Sequence, residues 1–128
     1  MSRWVERMSA LSLTAFVILM SSAVRAEMKF ARHEIGRVGR QMGQTSLVDV
    51  DKDGDLDWVV GCNRGTVWWF EYKGPDEWVR HTVGEKAGTE VGGVAMDVDG
   101  DGWVDQVSGS TWFRNTGKPR EQPFERCE

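Results

Sequence analysis

Short runs of alternating apolar and polar residues, separated by clusters of Gly, Asn, Asp and Pro, cover the chain from residue 30 onward. Such alternation is typical of β-strands, whereas no apolar stripe at i, i+3 and i+4 in this region is long enough to predict a helix. The pattern therefore predicts eight strands in two sets of four. The first set is Phe30–Ile35, Ser46–Val50, Asp57–Gly61 and Thr66–Tyr72, and the second is Trp78–Val83, Gly93–Val98, Asp105–Gly109 and Thr111–Asn115.

The two sets are copies of one repeat. Residues 30–61 and 78–109 align without a gap at an offset of 48 residues, with 11 identities in 32 positions. Residues 124–128 (FERCE) resemble residues 30–34 (FARHE), which predicts the opening of a third copy. Four strands in about 48 residues match one blade of a β-propeller. We predict an all-β, incomplete propeller with a first blade at residues 27–76, a second at 77–121 and a truncated third repeat at 122–128.

The first 26 residues have the pattern of a secretory signal peptide. Arg3 and Arg7 precede an apolar run from Ala10 to Met20, and small residues lead up to Ala26. The run is shorter than the ~20 residues that a membrane-spanning helix needs. We expect cleavage after Ala26 and a location outside the cytoplasm, as a secreted, cell-surface or periplasmic protein. An uncleaved N-terminal anchor is the alternative.

Charge argues against two classes of partner. The formal net charge is −4, and the acidic residues concentrate in two short stretches at 49–57 and 97–105. The remaining chain has no basic patch of the kind that binds nucleic acid and no second apolar span. We therefore expect neither nucleic-acid binding nor a membrane span in residues 27–128.

The two acidic stretches predict calcium sites. The first reads DVDKDGDLD and the second DVDGDGWVD, so carboxylates recur at positions 1, 3, 5 and 9 around a glycine at position 6. Oxygen donors in that number suit Ca2+ better than a transition metal. The predicted ligands, with the position 7 residues acting through their backbone carbonyls, are Asp49, Asp51, Asp53, Asp55 (carbonyl) and Asp57 in the first loop, and Asp97, Asp99, Asp101, Trp103 (carbonyl) and Asp105 in the second.

These loops are not EF-hand loops. An EF-hand requires a bidentate Glu at position 12 and flanking helices. Position 12 is Val60 in the first loop and Ser108 in the second, and each lies in a predicted strand. The remaining alternative is an acidic, solvated turn without metal.

With its D-x-D-x-D-G-x-x-D loops repeated at blade spacing, the chain resembles the FG-GAP or VCBS-type repeats over roughly residues 29 to 128. The resemblance implies a calcium-stabilised propeller in which calcium is mainly structural, used as a scaffold for adhesion or for binding carbohydrate or cell-surface protein. Part of a secreted carbohydrate-active enzyme, such as a polysaccharide lyase, is the alternative. No catalytic residue can be assembled from local motifs.

Two blades cannot close a ring. The chain is expected to be a fragment of a longer propeller, to assemble with about three copies completing a ring, or to fold as an isolated double blade. In an isolated double blade, the edges of the sheets would stay unpaired.

Other residues have structural and functional interpretations. His33 and His81 recur with the repeat, which favours a packing role over an active site. Cys62 and Cys127 either pair or remain separate thiols. The tryptophans either pack in the core or stack on sugars. Trp68 and Trp69 are expected to face opposite sides of one strand, and Trp103 is the likeliest to be exposed. The set is Trp58, Trp68, Trp69, Trp78, Trp103 and Trp112.

Overall fold

The computed structural model describes residues 28–38, 42–62, 65–88 and 91–127, except for the side chain of Cys62. The predicted signal peptide and residue 27 lie outside this part. The chain divides into two units, residues 1–32 and 33–128. Residues 28–32 of the first unit are exposed and carry no strand.

The second unit contains two antiparallel four-stranded sheets. Strands in each sheet are neighbours in the order in which they occur along the chain. The first sheet consists of β1 (Met42–Val48), β2 (Asp57–Cys62), β3 (Val67–Gly74) and β4 (Glu77–Gly84). The second consists of β5 (Gly93–Met96), β6 (Asp105–Ser108), β7 (Thr111–Arg114) and β8 (Glu125–Cys127).

These sheets confirm the predicted fold class. The described residues form strands and turns and no helix, and each sheet has the four-strand meander of a propeller blade. The same residues include no helix that is long and apolar enough to span a membrane.

The sheets and the sequence repeats have different boundaries. β4 was predicted to open the second blade, but it is the last strand of the first sheet, where its residues pair with β3 from Val67↔Gly84 to Gly74↔Glu77. Likewise, β8 pairs with β7 and completes the second sheet, where the sequence predicted the start of a third repeat. The cause is topological, because the strand that begins each repeat unit hydrogen-bonds to the strand that ends the preceding one.

The prediction of a strand at Phe30–Ile35 is wrong. Residues 28–38 carry no strand in the structure, although their sequence resembles that of β4. A strand needs a neighbour to satisfy its backbone N–H and C=O groups. β4 finds that neighbour in β3 and β8 finds it in β7. Within the described residues, no strand equivalent to β3 or β7 precedes the first copy of the motif, so this copy lacks the neighbour that β4 and β8 have.

A shared core joins the two sheets. Val50, Val59, Trp69 and Val83 from the first sheet and its loop pack against Phe113 of the second. Each is almost fully buried. The backbone also connects the sheets, since Phe124 N donates to Val83 O at 2.9 Å. The first sheet therefore buries the face that carries Val59 and Trp69 against the second sheet.

Two glycines allow close approach at equivalent places in the repeat. A Cβ at Gly84 would lie 2.3 Å from Phe113 Cε1, and a Cβ at Gly36 would lie 2.3 Å from Phe70 Cε1. Gly36 and Gly84 are 48 residues apart. The Arg-His-x-x-Gly motif thus ends in a glycine because an aromatic ring packs directly on its backbone.

Candidate metal centres

The two aspartate-rich segments are the loops between the first and second strand of each sheet. The first loop (residues 49–57) connects β1 to β2, and the second (97–105) connects β5 to β6. Both turn through left-handed residues at positions 4 and 6: Lys52 and Gly54 have φ of 63° and 96°, and Gly100 and Gly102 have φ of 78° and 86°. The glycine predicted to permit the turn is therefore required for it in both copies.

The first loop gathers three carboxylates. Oxygens of Asp49, Asp51 and Asp53 lie within 4.8 Å of one another. Backbone N–H groups hold them in place: Asp49 accepts from Asp53 N at 3.2 Å and from Gly54 N at 3.1 Å. Asp53 in turn accepts from Asp55 N at 3.1 Å. The chain curls around its own side chains, and the loop therefore presents their oxygens to one small space.

The second loop repeats this arrangement. Oxygens of Asp97, Asp99 and Asp101 also lie within 4.8 Å of one another. Asp97 accepts from Gly100 N at 2.8 Å and from Gly102 N at 2.9 Å, and Asp101 accepts from Trp103 N at 2.8 Å. The structure therefore brings together the predicted ligands at positions 1, 3 and 5 in both copies.

The carboxylates at position 9 are buried beneath the loops. Asp57 accepts from Val50 N and Tyr72 N, both at 3.0 Å. Asp105 accepts from Val98 N at 3.1 Å and from Asn115 N at 2.8 Å. These side chains tie each loop to the neighbouring strands and lie outside the clusters of three. Each carboxylate oxygen has a second lone pair, so their role as metal ligands remains a prediction.

The position 7 residues differ. Trp103, predicted to be the tryptophan likeliest to be exposed, is half-buried against Gly117, and Lys52 Nζ lies 4.2 Å from its ring centroid. Asp55 at the same position of the first loop is exposed. Lys52 belongs to the first loop and Trp103 to the second, so this cation–π contact joins the two loops.

Cationic side chains neutralise part of both clusters. Arg120 Nη2 lies 2.6 Å from Asp51 Oδ2 and 2.9 Å from Asp53 Oδ2. In the second loop, Arg114 lies 2.5 Å from Asp99 and 3.1 Å from Asp101. Sequence analysis missed both arginines, because neither lies in an aspartate loop and only the fold brings them there. The alternation of β7 was the one available signal, since it separates Arg114 from buried Phe113.

Asp51 carries the clearest electrostatic strain. Its side chain is only 3% exposed. Burial, together with the nearby charge of Asp57, raises the pKa of Asp51 to about 6, although Arg120 opposes this shift. Its Oδ2 contacts Arg120 without accepting a hydrogen bond from the described residues. A buried carboxylate oxygen that accepts no hydrogen bond has a lone pair available to a divalent cation.

Glu71 anchors the cations beside the first loop. Its carboxylate contacts Lys73 Nζ, lies 2.6 Å from Arg120 Nε and lies 2.9 Å from His81 Nε2. Burial alone would raise the pKa of Glu71, but hydrogen bonds from Lys73, His81 and Arg120 outweigh it and lower this pKa to about 2. Glu71 therefore stays ionised and holds Arg120 in position.

The histidines and tryptophans are mostly packed. His81 stacks on the buried Trp69 with ring centroids 4.4 Å apart, whereas His33 pairs with Asp76 at the surface. Trp69 is fully buried and Trp68 half-buried, as expected for neighbours on a strand. The other contacts are Trp58 with Phe70 and Trp78 with Tyr72. Cys127 has a free thiol.

Comparison with known proteins identifies the repeat. Residues 49–108 match the family model of the FG-GAP-like repeat. This segment runs from the first aspartate loop through the second and ends with β6. No curated protein and no solved structure matches the chain. Residues 49–108 thus carry an FG-GAP-like repeat.

Proposed function

We propose that this propeller-like repeat module binds calcium in both aspartate loops, is exported, and serves as a scaffold for binding or adhesion. One observation carries the proposal: three carboxylates converge in each loop, at the same positions, in both copies of the repeat. Like charges at such distances repel one another, and Arg120 and Arg114 each neutralise only part of a cluster, so a bound cation would relieve the remaining repulsion.

The donor set favours calcium. Ca2+ accepts six to eight oxygen ligands in flexible geometry. The first loop offers Asp49, Asp51 and Asp53, with Asp57 and the Asp55 carbonyl as further donors. The second offers the equivalent residues, with the carbonyl of Trp103 at position 7. Bound calcium would neutralise the clusters, and its binding energy would stabilise the folded loops.

A stabilising role fits the expected affinity. Extracellular calcium modules bind with a Kd on the order of 10⁻⁴ M. At ~1 mM calcium this affinity stabilises the folded state by about 1.4 kcal/mol per site. The stabilisation from two occupied sites is a substantial fraction of the free energy of unfolding of a small domain, which is on the order of 5–15 kcal/mol.

Thermal unfolding of the purified chain tests the calcium proposal. Melting curves are recorded in 2 mM CaCl₂, in 2 mM MgCl₂ and in EDTA. We expect calcium to raise the Tm, and the double variant Asp53→Ala/Asp101→Ala to abolish this gain. Glu85→Gln, an exposed acid outside the loops, serves as the matched control and should keep the gain. Equal Tm values for the unaltered chain in calcium and EDTA would refute the proposal.

Export and binding need separate tests. The signal-like sequence of residues 1–26 supports export, so expression in a bacterium should yield a periplasmic chain whose mass begins at Glu27. Full-length mass in the cytoplasm would contradict this. For the scaffold role, a glycan array and cell-surface binding are compared with and without calcium. A lack of binding in both assays would count against it.

A further inference from the structure

One asparagine connects the two aspartate loops. Asn115 follows β7, and its side chain is completely buried. Its Nδ2 donates to Val50 O of the first loop at 3.1 Å and to Val104 O of the second loop at 3.3 Å. Its backbone N–H donates to the position 9 carboxylate of the second loop, Asp105, at 2.8 Å. A single residue therefore holds the backbone of both candidate metal centres.

The equivalent residue of the first sheet does not make this connection. Phe70 and Phe113 each pair with the residue that follows position 9 of their own loop, so Tyr72 is the counterpart of Asn115. The backbone N–H of Tyr72 also donates to the position 9 carboxylate of its loop. Its side chain, however, packs on Trp78. The backbone contact thus belongs to the repeat, whereas the amide contact belongs to the junction between the loops.

A second contact joins the two loops next to their predicted ligands. Lys52 lies between Asp51 and Asp53 in the chain, and its Nζ lies 4.2 Å from the ring centroid of Trp103. The carbonyl of Trp103 is the predicted position 7 ligand of the second loop. Because Lys52 and Trp103 are each part of a loop that would surround the metal, a movement of either loop disturbs the other.

These contacts make the order of one loop depend on the order of the other. Calcium binding requires a loop to keep its oxygens in one arrangement, and the conformational entropy lost in this ordering opposes binding. When the second loop is ordered, Val104 O and the Trp103 ring are fixed in place. Through Asn115 and Lys52 they then restrict the first loop, which loses less entropy when it binds calcium in turn.

Repulsion between the two bound ions opposes this effect only weakly. Each loop contains at least four aspartates, against the two positive charges of one calcium ion. A loop that holds calcium therefore does not become cationic, and water screens what remains of the repulsion.

We propose that the two loops bind calcium cooperatively, and that Asn115 and the contact between Lys52 and Trp103 are the positioning residues that couple them. The inference rests on the proposed function, because it requires calcium in both loops. By linkage, calcium in either loop raises the affinity of the other by the same factor. Couplings between sites are typically roughly 5- to 150-fold, and we expect about fivefold here, because few contacts join the loops.

Each loop contains its own reporter for the test. Gly54 N donates to Asp49 at 3.1 Å, and Gly102 N donates to Asp97 at 2.9 Å. The NMR amide signals of these two glycines should move when the position 1 carboxylates bind calcium. A CaCl₂ titration of the isotope-labelled full chain therefore gives a separate midpoint for each loop.

Disabling the second loop measures the coupling. Asp99→Asn/Asp101→Asn removes two negative charges, which is the same change in net charge as the binding of one calcium ion. The first loop therefore faces a second loop with the charge of the filled state but without its order. We expect the Gly54 midpoint to move to a calcium concentration about fivefold higher.

The coupling residues are tested by repeating this comparison in variants that lack the contacts. In Lys52→Asn/Asn115→Ala, disabling the second loop should move the Gly54 midpoint by less than about twofold. Lys52→Asn alone should reduce the movement by about half, and it keeps the test available if Asn115→Ala unfolds the chain, because Lys52 is exposed and Asn tolerates its φ of 63°. Lys86→Asn is the matched control, since Lys86 is also exposed with a φ of 56°, and it should leave the movement unchanged.

The possible results separate the two proposals. Glycine signals that do not respond to calcium would refute calcium binding itself. A response in both loops, with a Gly54 midpoint that the second-loop change leaves within about twofold, would refute the cooperativity alone. A movement that stays about fivefold in Lys52→Asn and in folded Lys52→Asn/Asn115→Ala would overturn the role of these residues.

Discussion

Replacing Glu71 by Gln tests the charge cluster that supports the first loop. Glu71 lies on β3 with its side chain 4% exposed, and its carboxylate contacts Lys73, His81 and Arg120. Gln has the same shape and keeps one acceptor oxygen. It removes the negative charge that compensates the two basic side chains, so the substitution isolates the electrostatic contribution of Glu71 from its packing.

The pKa shift sets the size of the expected effect. The pKa of Glu71 falls from 4.5 to about 2. At 1.36 kcal/mol for each pKa unit, this corresponds to about 3 kcal/mol of stabilisation. Water screens part of it, because the partners Lys73 and Arg120 are 37% and 46% exposed. We therefore expect a loss of about 2 kcal/mol for Glu71→Gln at pH 7, equivalent to a Tm decrease on the order of 10 °C.

The pH dependence gives a second measure of the same effect. The pKa of Glu71 is lower in the folded chain than in the unfolded chain, so its stabilisation is present above pH 4.5 and is lost as pH falls towards 2. The unaltered chain should therefore lose more stability than Glu71→Gln over this range. The two stability curves should converge near pH 2.

Urea unfolding in EDTA, followed by tryptophan fluorescence at several pH values, measures both quantities without a metal contribution. Glu77→Gln on the neighbouring strand β4 is the control, because Glu77 is exposed and its loss should change stability little. The reasoning is refuted if Glu71→Gln costs no more than Glu77→Gln at pH 7. A constant difference between the variant and the unaltered chain from pH 7 to 2.5 would also contradict it.

Three further substitutions address the metal loops and the sheet interface. Arg120→Gln removes a cation that competes for Asp51 and Asp53, so calcium affinity in a fluorescence titration should rise up to roughly fivefold, while Arg80→Gln should leave it unchanged. Asp51→Asn should abolish the calcium effect of the first loop. In EDTA at pH 7 it should retain stability better than Asp53→Asn, because the raised pKa of Asp51 means that its ionised form is disfavoured in the folded chain. Gly84→Ala would place Cβ 2.3 Å from Phe113 Cε1 and should lower the free energy of unfolding in urea by about 1–3 kcal/mol. In the control Gly74→Ala, Cβ would meet only Glu77 at 3.9 Å, so the free energy of unfolding should fall by less than about 1 kcal/mol.

The sequence by itself determined the local structure of the repeat. Seven of the eight strands predicted from the alternation form in the structure, because a strand with one buried face must alternate. The aspartate spacing predicted which carboxylates converge, since a nine-residue loop with glycine at position 6 can curl in few ways. Both features depend on neighbours in the chain, and a duplicated pattern revealed them twice.

Tertiary structure decided which strands pair and which charges meet. The sequence assigned β4 to the second blade, yet hydrogen bonding to β3 places it in the first sheet. Phe30–Ile35 resembles β4 but forms no strand in the described residues, because strand formation requires a partner as well as a pattern. Arg120 reaches Asp53 across 67 positions of the chain. No local signal encodes that contact, since its energy depends on distance in space and on burial.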